Sequence, residues 1–71
     1  MAEEIRADMV ANVWKVVASA GDEVAEGDTL VILESMKMEM PVEAPSAGKV
    51  EKISCAEGQA VNEGDVLLTI A

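Results

Sequence analysis

Short apolar runs separated by turn residues are the dominant pattern along this chain of 71 residues. Runs that are rich in Val, Ile and Thr and end at Gly, Pro, Asn or Asp are typical of β-strands. No segment of the sequence has the length and the 3.6-residue period of an amphipathic helix. The pattern therefore predicts an all-β fold. The predicted strands are 5–10, 13–18, 29–34, 38–43, 49–55 and 66–70, with short bridging strands near 23–24 and 60–61.

The same pattern recurs after 37 residues. Residues 21–28 align with 58–65, and nine of the 28 pairs formed between 7–34 and 44–71 are identical. Internal repeats of this kind indicate a fold built from similar units. Two β units without a helix must cover each other's apolar faces. We therefore expect residues 1–71 to form one domain, a flattened β-barrel or sandwich whose halves are related by a pseudo-two-fold axis.

Glycine marks the predicted turns in both copies. The triplet Glu-Gly-Asp occurs at 26–28 and again at 63–65. Gly27 and Gly64 can adopt a positive φ, and the Asp that follows each glycine can accept a hydrogen bond from nearby backbone. The other predicted turns are 20–22, 57–59 and 45–48, the last of which corresponds to 8–11 in the first copy.

Lys37 lies where the two copies join. The first copy ends at residue 34 and the second is recognisable from residue 44, so 35–43 should carry the chain from one half to the other, with Lys37 near a hairpin reversal. Apolar and polar residues nevertheless alternate through this segment, as they would in one strand running straight through Lys37. The segment also has no Gly or Asn for a tight turn. The repeat favours the hairpin, and both arrangements remain open at this point.

The strongly acidic composition restricts the possible partners. The net charge of −9 argues against binding to nucleic acid or to anionic membranes, and it suits a monomer or a partner with a basic face. No apolar run reaches the length of a membrane span, and the first residues lack the pattern of a secretory signal. A single Cys cannot form an internal disulfide, which fits a reducing compartment. We therefore expect a cytoplasmic protein.

Candidate chemistry is sparse. The chain has no His, the commonest general base, and its one Cys is too few for a zinc site. Its fourteen carboxylates lack the spacing of a calcium loop. We therefore expect no metal site, no catalytic residue and no autonomous enzyme. Lys37 then stands out as a residue on which another protein acts, although a lysine is ordinarily a solvated surface charge.

The segment Glu34-Ser35-Met36-Lys37-Met38-Glu39 resembles the attachment motif of the biotinyl/lipoyl carrier domains, in which Met-Lys-Met commonly follows Glu-Ala or Glu-Ser. The resemblance covers essentially the whole chain and is closest to the single-domain biotin/lipoyl attachment proteins. It implies a barrel-sandwich hybrid of two four-stranded antiparallel sheets, with Lys37 at an exposed hairpin tip. It also implies that a biotin protein ligase joins biotin to Lys37. The chain would then be a swinging-arm carboxyl carrier between a biotin carboxylase and a carboxyltransferase.

The residues beside Lys37 are expected to be recognised by the ligase. Met36 and Met38 offer soft apolar contacts, with Glu34, Ser35 and Glu39 around them. Lipoyl domains usually show Asp-Lys-Ala at this position, so the methionines favour biotin and leave lipoate as an alternative cofactor. An unmodified acidic protein-interaction module is the alternative from another class.

Four further residues have less specific interpretations. Lys15 and Lys52 are repeat equivalents inside predicted strands, where neighbouring strands should keep them out of a ligase site. Cys55 matches Ala18 and is expected to be a small buried hydrophobe rather than a reactive thiol. Trp14 matches Glu51 and should face outward, where it either contacts a partner or caps one end of the core.

Overall fold

The computed structural model describes residues 3–71, and within that range the chain forms eight β-strands and no helix. The prediction of an all-β fold is therefore confirmed. The strands are β1 (Glu3–Arg6), β2 (Ala11–Val16), β3 (Glu23–Val24), β4 (Thr29–Ser35), β5 (Met38–Glu43), β6 (Gly48–Ile53), β7 (Ala60–Val61) and β8 (Val66–Ile70).

The strands form two four-stranded antiparallel sheets, as the resemblance implied. One sheet has the order β1-β8-β6-β3 and the other the order β5-β4-β2-β7. Strands β1 to β4 belong to the first copy of the repeat and β5 to β8 to the second. Each sheet therefore combines two strands from each copy, and neither copy could form its sheet alone.

Backbone hydrogen bonds between the copies occur in equivalent pairs. The Val13 amide donates to the Gln59 carbonyl at 2.8 Å, and the equivalent Val50 amide donates to the Asp22 carbonyl at 2.8 Å. The β-bulges also occur at equivalent places. The register shifts at Trp14 in β2 and at its equivalent, Glu51, in β6. The predicted pseudo-two-fold relation therefore extends to individual bonds and bulges.

The two Glu-Gly-Asp turns have the predicted conformation. Gly27 has a φ of 90° and Gly64 a φ of 92°. The Asp after each glycine accepts a hydrogen bond from backbone three residues earlier, at 2.9 Å from the Ala25 amide and at 2.8 Å from the Asn62 amide. These bonds hold the two turns in the same geometry.

The core between the sheets is entirely aliphatic, which agrees with the near absence of aromatic residues. Over residues 3–71 no polar or charged residue is buried. Apolar burial is thus the main favourable contribution to folding here, and it needs no polar network. The largest fully buried side chains are Leu30, Leu33, Leu67, Leu68, Val13, Val31, Val50 and Val61.

Several predicted boundaries were wrong. The strand predicted at 13–18 is β2, Ala11–Val16, and the strand predicted at 49–55 is β6, Gly48–Ile53. Backbone pairing gives the reason for further differences. The first strand ends at Arg6 rather than at residue 10, because the Ala7 backbone bonds to the Gly64 turn. Gly48 belongs to β6 rather than to a turn, and a Cβ there would lie 2.5 Å from Ile70 Cγ2. The strand predicted at 38–43 is confirmed as β5, the equivalent of β1, so the unpaired connection between the copies is shorter than 35–43.

Replacing Gly64 by Val tests the turn. We expect Gly64→Val to lower the free energy of unfolding by about 1–2 kcal/mol, because a branched residue is strained at this φ. A Cβ at Gly64 would have no neighbour within 4 Å, so the cost comes from the backbone and not from a clash. Urea unfolding measures it. The matched control is Glu63→Val, which adds the same side chain beside Gly64 without a positive φ; an equal loss in both variants would contradict the assignment.

Candidate functional site

The candidate site is the hairpin formed by β4 and β5. Ser35 pairs with Met38 and Glu34 pairs with Glu39, which leaves Met36 and Lys37 as a two-residue loop. The hairpin prediction is therefore confirmed, and a single strand running through Lys37 is excluded. Pairing continues down the hairpin to Thr29 and Glu43, and β2 pairs with the other edge of β4 as far as Glu34. Only the last pair and the loop therefore extend beyond the three-stranded part of the sheet.

The loop has an uncommon backbone conformation. Met36 has a φ of 52° and Lys37 a φ of 66°, and over residues 3–71 they alone among the non-glycine residues have a positive φ. Two positive φ values are the signature of a type I′ turn, which matches the twist of the flanking strands and normally selects Asn-Gly. For residues with a side chain this conformation costs about 1–2 kcal/mol each. The paired strands below supply the interactions that hold the loop in place.

Exposure at the tip is unusually high for apolar residues. Met36 is 92% exposed and Met38 is 65% exposed, and Lys37 is exposed between them. These methionines therefore contribute little to the core, in contrast to the usual role of methionine as a flexible core residue. Within residues 3–71, Lys37 forms neither a hydrogen bond nor a salt bridge. Its amine is free to enter the site of another protein.

Two carboxylates flank the hairpin just below the loop. Glu34 and Glu39 lie directly opposite each other on β4 and β5, Glu34 half-buried and Glu39 exposed. Like charges in this arrangement are destabilising. The pair places negative potential just below the loop that carries Lys37. The half-buried Ser35 completes the set of flanking residues that the sequence singled out.

The other lysines are in a different environment. Lys15 lies in β2 opposite Ile32, Lys49 lies in β6 opposite Glu23, and Lys52 lies in β6 opposite Thr69. Each is exposed, but its backbone is part of a sheet and cannot be inserted into a deep cleft. Lys37 is the one lysine of the four that stands on a turn.

The remaining candidates lie apart from the hairpin tip. Cys55 is half-buried and packs against the core, and burial raises the pKa of its thiol more than a backbone hydrogen bond lowers it. The thiol therefore stays protonated at neutral pH, as expected for a structural cysteine. Trp14 is 48% exposed at the bulge of β2, so it faces outward as predicted.

Residues 3–71 contain no group of three His, Cys, Asp or Glu side chains that could hold a metal ion. In the same part of the chain no helix is long and apolar enough to span a membrane.

Relaxing the strain in the loop should stabilise the fold. We expect Met36→Asn to raise the free energy of unfolding by about 0.5–1 kcal/mol, because Asn tolerates a positive φ better than Met. Met38→Asn is the matched control, since it places the same side chain on β5, where φ is not positive. Thermal and urea unfolding measure both variants. A gain in the control alone, or in neither variant, would contradict the strain assigned to the loop.

Known proteins are similar to this chain in both sequence and fold. The family described as biotin-requiring enzyme matches residues 3–70. The biotinylated protein TB7.3 homolog of Mycobacterium leprae is 51% identical over 71 residues, and the alignment covers 100% of both chains. The biotin/lipoyl attachment protein of Bacillus subtilis is 49% identical over 63 residues, which are 89% of this chain and 86% of that protein.

A solved structure shows the same arrangement of strands. The single-chain, multi-domain long-chain acyl-CoA carboxylase superposes with a TM-score of 0.94 and 34% identity. The match covers 99% of this chain and 7% of the carboxylase chain. This chain therefore corresponds to one small part of that enzyme.

Proposed function

This chain belongs to the family described as biotin-requiring enzyme, and from that premise we propose that it is a biotin carrier protein modified on Lys37. The observation that carries the proposal is the position of Lys37, exposed and without a bonding partner over residues 3–71, at the end of a paired hairpin. The carrier would serve a biotin-dependent carboxylase. In this role the chain is a substrate of one enzyme and a mobile part of another, and it has no catalytic site of its own.

The tip fits a covalently attached biotin. Attachment joins Lys37 Nζ to the carboxyl carbon of biotin, which the ligase first activates as an anhydride with AMP. The new C–N bond replaces the C–O bond to AMP, and AMP leaves. The ammonium releases two of its three protons to solvent, so the amide nitrogen keeps one hydrogen and carries no charge. Met36 and Met38 can cover the apolar part of the arm, since both side chains are exposed beside the lysine.

Once attached, biotin supplies the chemistry of carrying a carboxyl group from a biotin carboxylase site to a carboxyltransferase site. The protein supplies the rigid support from which the arm moves. The β4–β5 hairpin is held in a sheet, whereas the tip projects from it, so motion is confined to the lysine side chain and what it carries. The two sheets are packed on a core of fully buried aliphatic residues, which keeps this support rigid.

The same geometry supports the choice of one lysine by the ligase. An enzyme that acylates an amine must enclose it, and a two-residue loop can enter a cleft that a sheet surface cannot. Glu34, Ser35 and Glu39 lie on the strands that lead to this loop and would meet the rim of that cleft. The proposal includes a monomeric carrier that works in the cytoplasm, where the lone Cys55 stays reduced.

Lipoate is the second candidate cofactor. The relative from Bacillus subtilis is named a biotin/lipoyl attachment protein, and a lipoate ligase would need the same exposed amine. Incubation with each ligase alone, and with both in competition, separates the two. A lipoyl adduct that forms in competition with biotin would reassign the cofactor and leave the attachment site unchanged.

Intact-mass measurement tests the attachment site. After incubation with a biotin protein ligase, biotin and ATP, we expect the wild-type chain to gain the mass of one biotinyl group. Lys37→Arg should gain none, because arginine keeps the charge but cannot form the amide. Lys49→Arg is the control and should be modified like the wild type. An adduct that persists in Lys37→Arg would move the site elsewhere.

Truncating the side chain of Met38 tests its role in recognition by the ligase. We expect Met38→Ala to change the free energy of unfolding by less than about 0.5 kcal/mol, because its side chain is mostly exposed. The KM for the ligase should rise. Met40→Ala, two residues further along β5 and half-buried opposite Leu33, is the control that should lose stability instead. A large loss of stability in Met38→Ala would make Met38 a core residue.

A further inference from the structure

The outer face of the sheet that carries the hairpin has an apolar row across three adjacent strands. Ile32 of β4 pairs with Pro41 of β5 on one side and with Lys15 of β2 on the other, next to the bulge at Trp14. Val31 and Leu33 point into the core, so Ile32 between them faces outward together with its opposite partners, Pro41 and Lys15. Trp14 is 48% exposed at the adjoining bulge and lies on the same outer face. We call Trp14, Ile32 and Pro41 the outer row.

The repeat shows that the fold does not require an apolar row at this place. The equivalent positions on the other sheet are Glu51, Thr69 and Glu4, and they have the same register, with Thr69 paired to Glu4 and next to the bulge at Glu51. All three of these residues are polar. The same backbone framework therefore accommodates polar residues at these three positions, where only the sheet that bears Lys37 has apolar ones. The lysine that follows the bulge, Lys15 or Lys52, is common to both sheets.

Acidic side chains border the outer row. Glu34 and Glu39 lie two pairs closer to the hairpin tip, and Glu43 lies on β5 beyond Pro41. The surface thus has an apolar centre that includes one lysine, Lys15, and it has three carboxylates at its edge, on a chain whose net charge is −9. A complementary protein surface would present apolar side chains surrounded by Lys and Arg.

The distance along β4 links the outer row to Lys37. Ile32 is five residues from Lys37, or roughly 16 Å along an extended strand. A typical interface of about 800 Å² per partner has a radius of about the same length. An enzyme that encloses the Lys37 amine itself must press against the base of the hairpin and would reach the outer row. A partner that acts on the end of a long attached arm has no such need.

We propose that the outer row is a docking surface for the biotin protein ligase, which contacts it through an apolar patch with a basic rim. The inference rests on the proposed function. Trp14 is expected to dominate the contact, because a half-exposed tryptophan with neighbouring apolar residues has the features of an interface hot spot. The outer row then sets the affinity of the ligase for this carrier, while the hairpin presents the reacting amine.

Exchanging residues between the two sheets tests the proposal with little risk to folding. Trp14→Glu and Ile32→Thr introduce the residues that the equivalent positions already hold. Each variant should raise the KM for the ligase roughly tenfold and leave kcat near the wild-type value. Added salt should raise the wild-type KM, because it screens the acidic rim from the basic partner. Glu51→Trp, which places the tryptophan on the other sheet, is the matched control and should behave like the wild type.

Wild-type KM values in both Trp14→Glu and Ile32→Thr, with biotinylation of the wild type intact, would overturn the docking surface and leave the proposed function standing. A similar rise in KM for Glu51→Trp would also overturn it, since the effect would not depend on the sheet. Thermal unfolding checks each variant, and Ile32→Thr decides the matter if Trp14→Glu does not fold. A concentration-dependent dimer of the wild type that Trp14→Glu abolishes would assign the surface to a second copy instead.

Discussion

Mutual burial of the two halves is the constraint on which the rest of this structure depends. Each sheet draws two strands from each copy of the repeat, and the aliphatic core lies between them. Neither copy can bury its apolar face without the other, and in a chain of this size the buried fraction of the surface is small. The exposed tip can be held in one position because the interlocked sheets beneath it form a single packed unit.

Local interactions at the tip oppose stability, and the paired strands compensate. Met36 and Lys37 occupy a conformation that favours Asn and Gly, and two like charges face each other below them. Departures of this kind from local preference are expected at functional sites. The proposed function gives a reason for overriding the preference, since a turn of Asn-Gly would fold more easily but would present no amine for attachment.

Differences between the two copies are as informative as their similarity. Gly27 and Gly64, with the Asp that follows each, are retained in both copies because the same turns are needed twice. Lys37 has no equivalent within a sheet, since it lies on the link between the copies. Trp14 occupies the position in β2 that is equivalent to Glu51 in β6 of the other sheet. The shared residues thus account for the scaffold, and the residues that break the symmetry are those with a proposed function.

The sequence by itself determined the fold class, the two-fold repeat, the glycine turns and the choice of Lys37 as the candidate attachment residue. Each of these depends only on residue types and their spacing along the chain. It left open whether Lys37 lies in a strand or on a hairpin, since apolar alternation with period two is the same in both and no Gly marks the turn. Only the tertiary structure decided that, through the pairing of Ser35 with Met38. The end of β1, the place of Gly48 in β6 and the meeting of Trp14, Ile32 and Pro41 were also decided there. Each results from contact between residues far apart in the chain, and the register of such contacts is set by packing of the whole core rather than by any short segment.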